Sequence, residues 1–423
     1  MTGIKLGLQR ITRLVQDTHI PWRAVHVAGT NGKGSVCNYT SHFLQASGVK
    51  CGMFTSPHLI DRWDCISLNG QPISKERFLE IENQVKARND QHHIQATSFE
   101  ILTATAFEAF TAANIEVAVV ETGMGGLEDA TNVIQKPTPA VITKLGLDHE
   151  DFLGKGIESI VNHKAGIMKH GSPCLIDGTN STNVLMMLEL KAKAREVKPF
   201  KVCHLWSYSN KQLFSNLLGW SDMPDHQKMH LILGYESAKI AIRVQKKSQP
   251  EWNKLLQSAI GLTVPGRQQS ISIHSLTGRY TPVLLDGCHN EQSAAALKQT
   301  VDSRYREWTG EGRQGNVTWV LAASSKKDVN SIFGNLVREG DNVIITEFGP
   351  VDGMPWISPM PASEMAEVVA GYGPAQCVIA RTVLDALKQA TEMAAGRPLI
   401  IAGSLYLVSD ILRLFRDGQS KEI

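Results

Sequence analysis

An α/β architecture in two domains, each a parallel sheet covered by helices, is predicted by three observations. Short β-branched runs alternate with helix-length amphipathic segments along most of the chain, the pattern of strand–helix–strand units. A length of 423 residues exceeds one small core and suggests roughly two to three domains. A Pro265-Gly266-Arg267 turn splits the alternating units into two series and puts the boundary within residues 264–270, so the domains are taken as 1–267 and 268–423.

In the first series, strands are predicted at Ala24–Ala28, Cys51–Thr55, Val117–Glu121, Ala140–Leu145 and Cys174–Asp177. Helices are predicted over Val36–Ala46, Lys75–Arg88, Phe99–Ala113 and Ile157–Lys169. The second series reads as strands at Val283–Asp286, Thr318–Ala322, Val343–Glu347 and Leu399–Ala402, with helices at Gln292–Trp308, Val329–Arg338, Val383–Ala395 and Leu407–Phe415. The stretch from Cys203 to His230 is mixed and gives no clear element. In such sheets ligands sit beyond the carboxyl ends of strands, with a cleft expected between the two domains.

Composition narrows the function. With 42% hydrophobic and 20% charged residues the chain is ordinary for a soluble globular protein. A formal charge of +2 implies no general attraction to nucleic acid or membrane. No apolar run approaches the roughly twenty residues that cross a bilayer. Seven scattered cysteines without a CxxC pair fit reduced thiols inside a cell. Lys5, Arg10, Arg13 and Arg23 against Asp17 give the N-terminal stretch a faint mitochondrial-presequence character, but it reads first as a surface helix leading into the first strand. A cytoplasmic monomer is expected, with a mitochondrial fraction as the alternative.

Chemistry concentrates at four strand ends. The run Ala28-Gly29-Thr30-Asn31-Gly32-Lys33-Gly34-Ser35 follows the strand through Val27 and opens a helix. A glycine turn there aims backbone N–H groups and a helix N-terminus at one spot, which suits phosphates. Lys33 is then placed for the outer phosphates and Ser35 for Mg²⁺. The usual phosphate-loop pattern is met imperfectly, because Val27 holds the first glycine position and Gly34 separates lysine from hydroxyl. Glu121 ends an apolar strand before Gly123-Met124-Gly125-Gly126, where a carboxylate is well placed to hold Mg²⁺. His149 follows Leu145-Gly146-Leu147-Asp148; on chemistry alone a histidine is a poor Mg²⁺ ligand, since Mg²⁺ prefers oxygen. Asp286-Gly287-Cys288-His289-Asn290 puts three polar side chains at another strand end before a helix.

Together these elements resemble the Mur-type amide ligases of the dihydrofolate synthase and folylpolyglutamate synthase branch. The likeness adds Phe54-Thr55-Ser56-Pro57-His58-Leu59, Ser98-Phe99-Glu100, Lys164-Ala165-Gly166-Ile167, Pro265-Gly266-Arg267 and Gly403-Ser404-Leu405-Tyr406-Leu407-Val408 in the shared order. Leu6-Gly7-Leu8-Gln9-Arg10-Ile11, Ile176-Asp177-Gly178-Thr179-Asn180 and Gly353-Met354-Pro355-Trp356-Ile357 look like the fungal dihydrofolate synthases in particular. The resemblance implies a P-loop Mur-ligase-like parallel-sheet ATPase domain and a smaller Rossmann-like C-terminal α/β domain. It also implies ATP phosphorylating a pterin-bearing carboxylate, with L-glutamate attacking the acyl phosphate.

By that resemblance Asn31, Gly32, Lys33, Gly34 and Ser35 cradle the ATP phosphates, and His230, Arg267 and Asp286 contact the nucleotide, the last two from the second domain. Ser56, Glu121 and His149 match the family's Mg²⁺ positions. Lys164 matches a lysine that the family carbamylates to N6-carboxylysine, able to hold a second Mg²⁺; a monovalent cation is a further expectation. Lys169 reads as an ordinary solvated helix end. His289 and Ser404 fall near glutamate or the acyl phosphate, with a strand-end turn and a helix cap as their plain structural alternatives. Thr97, Ser98, Phe99 and Glu100 line the pterin pocket, as do Glu128, Asp129 and Ala130. Two departures stand out. Leu127-Glu128 replaces the family's Arg-Leu, removing a cation and adding an anion near the pterin, a change that would weaken turnover if buried. His230 replaces a nucleotide-contacting asparagine. Three readings follow: a dihydrofolate synthase, a folylpolyglutamate synthase, and a catalytically weakened paralogue acting as a binding protein.

Overall fold

The strand Arg23–Ala28 (β1) is the axis of the first sheet, because its side chains from Ala24 onward are all buried. Around it lie Cys51–Phe54 (β2), Ile66–Leu68 (β3), Gln71–Pro72 (β4), Val117–Glu121 (β5), Pro137–Ile142 (β6), Cys174–Asp177 (β7) and Phe200–Cys203 (β8). The order is β4-β3-β2-β5-β1-β6-β7-β8. Pairing is parallel from β2 through β8, while β3 and β4 form an antiparallel edge. Buried, mostly apolar central strands are what a parallel sheet covered on both faces requires. This computed structural model describes residues 5–306 and 315–419.

The chain divides into two compact units. The first holds residues 1–58 and 63–262; the second holds Leu59–Arg62 together with Thr263–Ile423. In the second unit Gln269–Ile271 (β9), Val283–Leu285 (β10), Thr318–Leu321 (β11), Asn342–Ile345 (β12), Gln376–Ile379 (β13) and Leu399–Ala402 (β14) form a sheet of order β13-β12-β11-β14-β10-β9, parallel except at β9. Arg306 anchors that unit's interior: both Nη atoms meet the Asp341 carboxylate at 2.7 and 2.6 Å, and Asp341 also accepts from Val317 N and Trp319 Nε1. Saturating the carboxylate in this way offsets the cost of burying the charge.

Most predicted elements are present with shifted ends. The predicted strand Ala140–Leu145 begins earlier, at Pro137, and ends at Ile142, after which the chain turns to Thr143 and Lys144. The helix predicted over Ile157–Lys169 stops at Lys164 and tightens into a 3₁₀ turn, Ala165–Ile167. The helix predicted over Gln292–Trp308 runs over Glu291–Val301 and passes into a π-turn, Asp302–Arg306, with Trp308 outside the described residues. The N-terminal stretch forms a helix, Gln9–Leu14, that buries Ile11 and Leu14. Strands β3, β4, β8, β9 and β13 were not foreseen. Neither was the longest helix, Asp225–Val244, whose residues 229–238 are buried without interruption and so show no amphipathic stripe. That helix packs on Lys33–Ala46, and Gly234 lets the two backbones approach: a Cβ there would lie 2.5 Å from Tyr39 Cβ.

Among the described residues no helix is long and apolar enough to cross a membrane.

Candidate active site

β1 ends at Ala28 and the helix Lys33–Ala46 begins after Gly32, whose φ of 89° is left-handed. Only glycine takes that turn without strain, and a Cβ on Gly32 would also overlap the His230 imidazole. Gly29 is equally constrained, since a Cβ there would overlap Thr143 Oγ1. The loop is further pinned by Thr30 N and Asn31 N donating to Lys144 O at 2.9 and 3.2 Å, and by Thr143 Oγ1 donating to Asn31 O at 2.8 Å. The backbone is therefore set before any ligand arrives, as an anion cradle needs.

Glu121 closes β5, beside β1, and lies buried with Oε1 3.7 Å from Lys33 Nζ. Lys164 is buried and its Nζ donates to Gly29 O at 2.6 Å, so the lysine reaches the phosphate loop itself. Burial, followed by the Lys33 charge, pulls the Lys164 amine down to about 7, while Asp148, Asp129 and Glu121 oppose the shift. Near neutral pH a large share of it is the uncharged amine.

Ser56 stands half-buried just past β2, and His149 is exposed at the left-handed start of Glu150–Leu153. Its Nε2 lies 3.8 Å from Asp148 Oδ2. Among the described residues no group of three His, Cys, Asp or Glu side chains forms a ready cage for a metal. Mg²⁺ with nucleotides takes one or two protein oxygens and fills its shell with phosphate and water. The buried Glu121 carboxylate at a strand end meets that requirement.

The expected pterin residues divide into two kinds. Thr97 and Glu100 close a capping box on Ser98–Ala112, and Glu100 also takes Arg10 Nε at 2.9 Å, so both side chains secure the helix start. Phe99 leans on Gly123, where a Cβ would overlap the ring, and faces Phe54 at 6.1 Å; Ser98 is exposed. Asp129 is buried and its oxygens accept from Met124 N at 2.8 Å and from Thr131 N and Oγ1 at 3.0 and 2.5 Å. It braces the glycine loop from within, next to buried Ala130. Thr131 Oγ1 in turn meets His26 Nε2 at 2.8 Å, and burial holds His26 down to about 3, hence neutral.

Leu127 is 42% exposed and Glu128 is exposed, its backbone carbonyl accepting from Gly7 N. The anion that this departure adds thus lies at solvent, where the cost of a buried charge does not arise. Sequence reasoning passed over Asp148, whose charge acts on Lys164, and the link from His26 through Thr131 to Asp129. A histidine inside an otherwise apolar strand, directly before the glycine loop, was the available signal for the latter.

In the second unit Asp286 is buried, accepting Gln268 N and Cys288 N at 2.8 Å each; burial raises its carboxyl, with Arg267 opposing. Arg267 Nη1 donates to Gly287 O at 3.5 Å and the His289 Nδ1 position lies 3.0 Å from the same oxygen. Ser404 is buried and its Oγ takes Tyr406 N at 3.1 Å, capping the helix Leu405–Gln419.

A parallel sheet whose central strands deliver a phosphate loop and a buried carboxylate to one place, where a helix end adds a buried lysine, is the framework of a Mur-type ligase. Residues 27–243 match the Mur ligase middle domain and residues 269–414 match the dihydrofolate synthetase C-terminal domain. The chain is 36% identical to the "Probable dihydrofolate synthetase" of Schizosaccharomyces pombe over 98% of its own length and 99% of that protein's. It is 34% identical to the dihydrofolate synthetase of Saccharomyces cerevisiae, covering 97% and 98% of the two chains. A crystal structure of Mycobacterium tuberculosis folylpolyglutamate synthase complexed with ADP and AMPPCP superposes with a TM-score of 0.78 at 25% identity, covering 97% of this chain and 95% of that one. The chain belongs to the dihydrofolate synthetase family of Mur-type ligases.

Proposed function

We propose that this chain is an ATP-dependent ligase that joins L-glutamate to 7,8-dihydropteroate through an acyl phosphate, giving 7,8-dihydrofolate, ADP and phosphate. The observation that carries the reading is the convergence of Lys33, Glu121 and Lys164 on a rigid phosphate loop, in a chain alike over nearly its whole length to fungal dihydrofolate synthetases.

The chemistry requires neutralising a crowded phosphate cluster and excluding water from a hydrolysable intermediate. Asn31, Gly32, Gly34 and Ser35 supply fixed backbone donors and a hydroxyl to ATP, and Lys33 supplies the cation that meets the outer phosphates. Glu121, with Ser56 and His149 beside it in the assignment, would hold Mg²⁺, which supplies charge neutralisation on the phosphates when bound. Lys164, whose amine burial lowers to about 7, is chemically able to take up CO₂ as an anionic carbamate and hold a second cation. Phe99 offers its ring to the pterin, while Glu100 and Asp129 keep the surrounding helix and loop in position.

Bacterial relatives named dihydrofolate synthase/folylpolyglutamate synthase favour a second reading, in which the same site also lengthens the glutamate tail of folates. Phosphate release measured with dihydropteroate and with tetrahydrofolate, each with and without glutamate, separates the two. Glutamate-dependent release with dihydropteroate is expected. Amide product from tetrahydrofolate alone would overturn the preference.

A further inference from the structure

The run Ile176-Asp177-Gly178-Thr179-Asn180 has no part in the chemistry described so far. β7 ends at Asp177, and the chain has to turn there, because the next helix starts at Thr182 with Ser181 as its cap. The buried Asp177 carboxylate shapes the turn by accepting from Thr179 N at 2.8 Å and Thr179 Oγ1 at 2.6 Å. Gly178 passes so close to the end of β8 that a Cβ would fall 2.5 Å from Cys203 O, and its N–H donates to that oxygen at 2.9 Å. The turn is thereby fastened to the sheet. It delivers Asn180, only 6% exposed, against the residues that follow β6.

Asn180 commits its whole amide to backbone. Oδ1 accepts from Leu145 N at 2.8 Å, while Nδ2 donates to Thr143 O at 3.2 Å and Asp177 O at 2.8 Å. These partners fix which end of the amide is oxygen, since the exchanged amide would set oxygen against two carbonyls. Between Thr143 and Leu145 stands Lys144, whose carbonyl takes Thr30 N and Asn31 N of the phosphate loop at 2.9 and 3.2 Å. Its ammonium donates back to Thr179 O in the turn.

Lys144 C=O and Leu145 N–H are opposite ends of one planar trans peptide and point in opposite directions. Asn180 grips one edge of that plane, and the phosphate loop hangs from the other. Fixing the N–H therefore fixes where the carbonyl aims. The same side chain holds Thr143 O, which stops the preceding peptide from turning. Thr143 and Leu145 are both buried, so removing the amide strips two backbone groups of a partner where water does not replace it.

We propose that Asn180 is a positioning residue for the phosphate loop, acting through the Lys144–Leu145 peptide to keep Thr30 and Asn31 in the conformation that receives a nucleotide's phosphates. The inference rests on the proposed reading of that loop as the cradle for ATP.

Calorimetric titration of the full-length protein with ADP, together with native-state hydrogen exchange resolved at Thr30 and Asn31, tests it. Asn180→Ala is expected to weaken ADP roughly tenfold, the loss of two buried hydrogen bonds felt at the loop. Exchange at Thr30 and Asn31 is expected to quicken, and the KM for ATP to rise while the KM for dihydropteroate stays unchanged. Asn180→Ser, whose hydroxyl still bonds one of the two backbone groups, is expected to fall between wild type and Asn180→Ala, and it carries the comparison should the alanine variant fold poorly. A merely structural role would lower the urea midpoint and the active fraction without moving ADP affinity or exchange at the two loop amides, and that outcome overturns the proposal. Weaker ADP binding with both loop amides exchanging as in the wild type also overturns it, because the effect would then bypass the Lys144–Leu145 peptide. A wild type that binds no ADP refutes the ligase reading, whereas wild type and both variants binding ADP equally well refutes the role of Asn180 alone.

Discussion

Lys164 concentrates the site's electrostatics in one side chain. Its amine is held to about 7 against an ordinary 10.5, first by burial and then by Lys33. The sign of the linkage follows. Below about 7 both the folded and unfolded chains carry the proton, and the cost of a buried ammonium is fully present. Between about 7 and 10.5 only the unfolded chain binds it, so this residue makes stability rise with pH across that window. Lys164→Met is expected to flatten the rise and to gain most in melting temperature at the acid end. Thermal unfolding of both proteins from pH 6 to 10 checks this, and parallel slopes would refute the assignment. Lys33 acts on a different link, since it points at the loop's ligand. Lys33→Ala is expected to abolish glutamate-dependent phosphate release and also to lower the melting temperature, because it takes the Lys33 cation away from the buried Glu121 carboxylate.

At the scale of elements, the turn from β1 into Lys33–Ala46 is held by two constraints at one glycine. Gly32→Ala sets a Cβ in a left-handed backbone at φ 89° and against His230. The expected cost is about 1–3 kcal/mol with loss of ATP use. His230→Ala should recover the steric share and leave the backbone share, so the double variant is less damaged than the sum of the singles. Urea unfolding of the three variants measures it, and strict additivity would show that the imidazole does not limit the turn. This turn was legible because glycine, lysine and serine announce it at fixed spacing after a strand. The same holds for Glu121 and Asp286, each a carboxylate where an apolar run stops. Illegible were the helix Asp225–Val244, whose burial all round erases periodicity, and the bracing chain that joins Asp129 through its neighbour Thr131 to His26 from distant sequence. Position alone also left the burial of Glu128 open, and the loop turns that side chain to solvent.

Across the whole molecule the two units own separate cores, and the cysteines sample both. Of the seven thiols, six are buried and only Cys377 is exposed. Burial also raises Cys37, Cys51, Cys174, Cys203 and Cys288, which leaves almost no thiolate at neutral pH. A thiol reagent therefore has to wait for each core to open. Cys37, Cys51, Cys65, Cys174 and Cys203 report on the first unit and Cys288 on the second. The native protein is expected to titrate one thiol quickly with a disulfide reagent, and the denatured protein seven. The slow thiols should divide into two rate classes if the cores open independently, because local opening free energies follow each cooperative unit. Mass spectrometry of the labelled peptides over time reads both quantities. Rapid native labelling at Cys37 or Cys51 would mean that the helix behind the phosphate loop is loosely packed, and the preset anion cradle would lose its foundation.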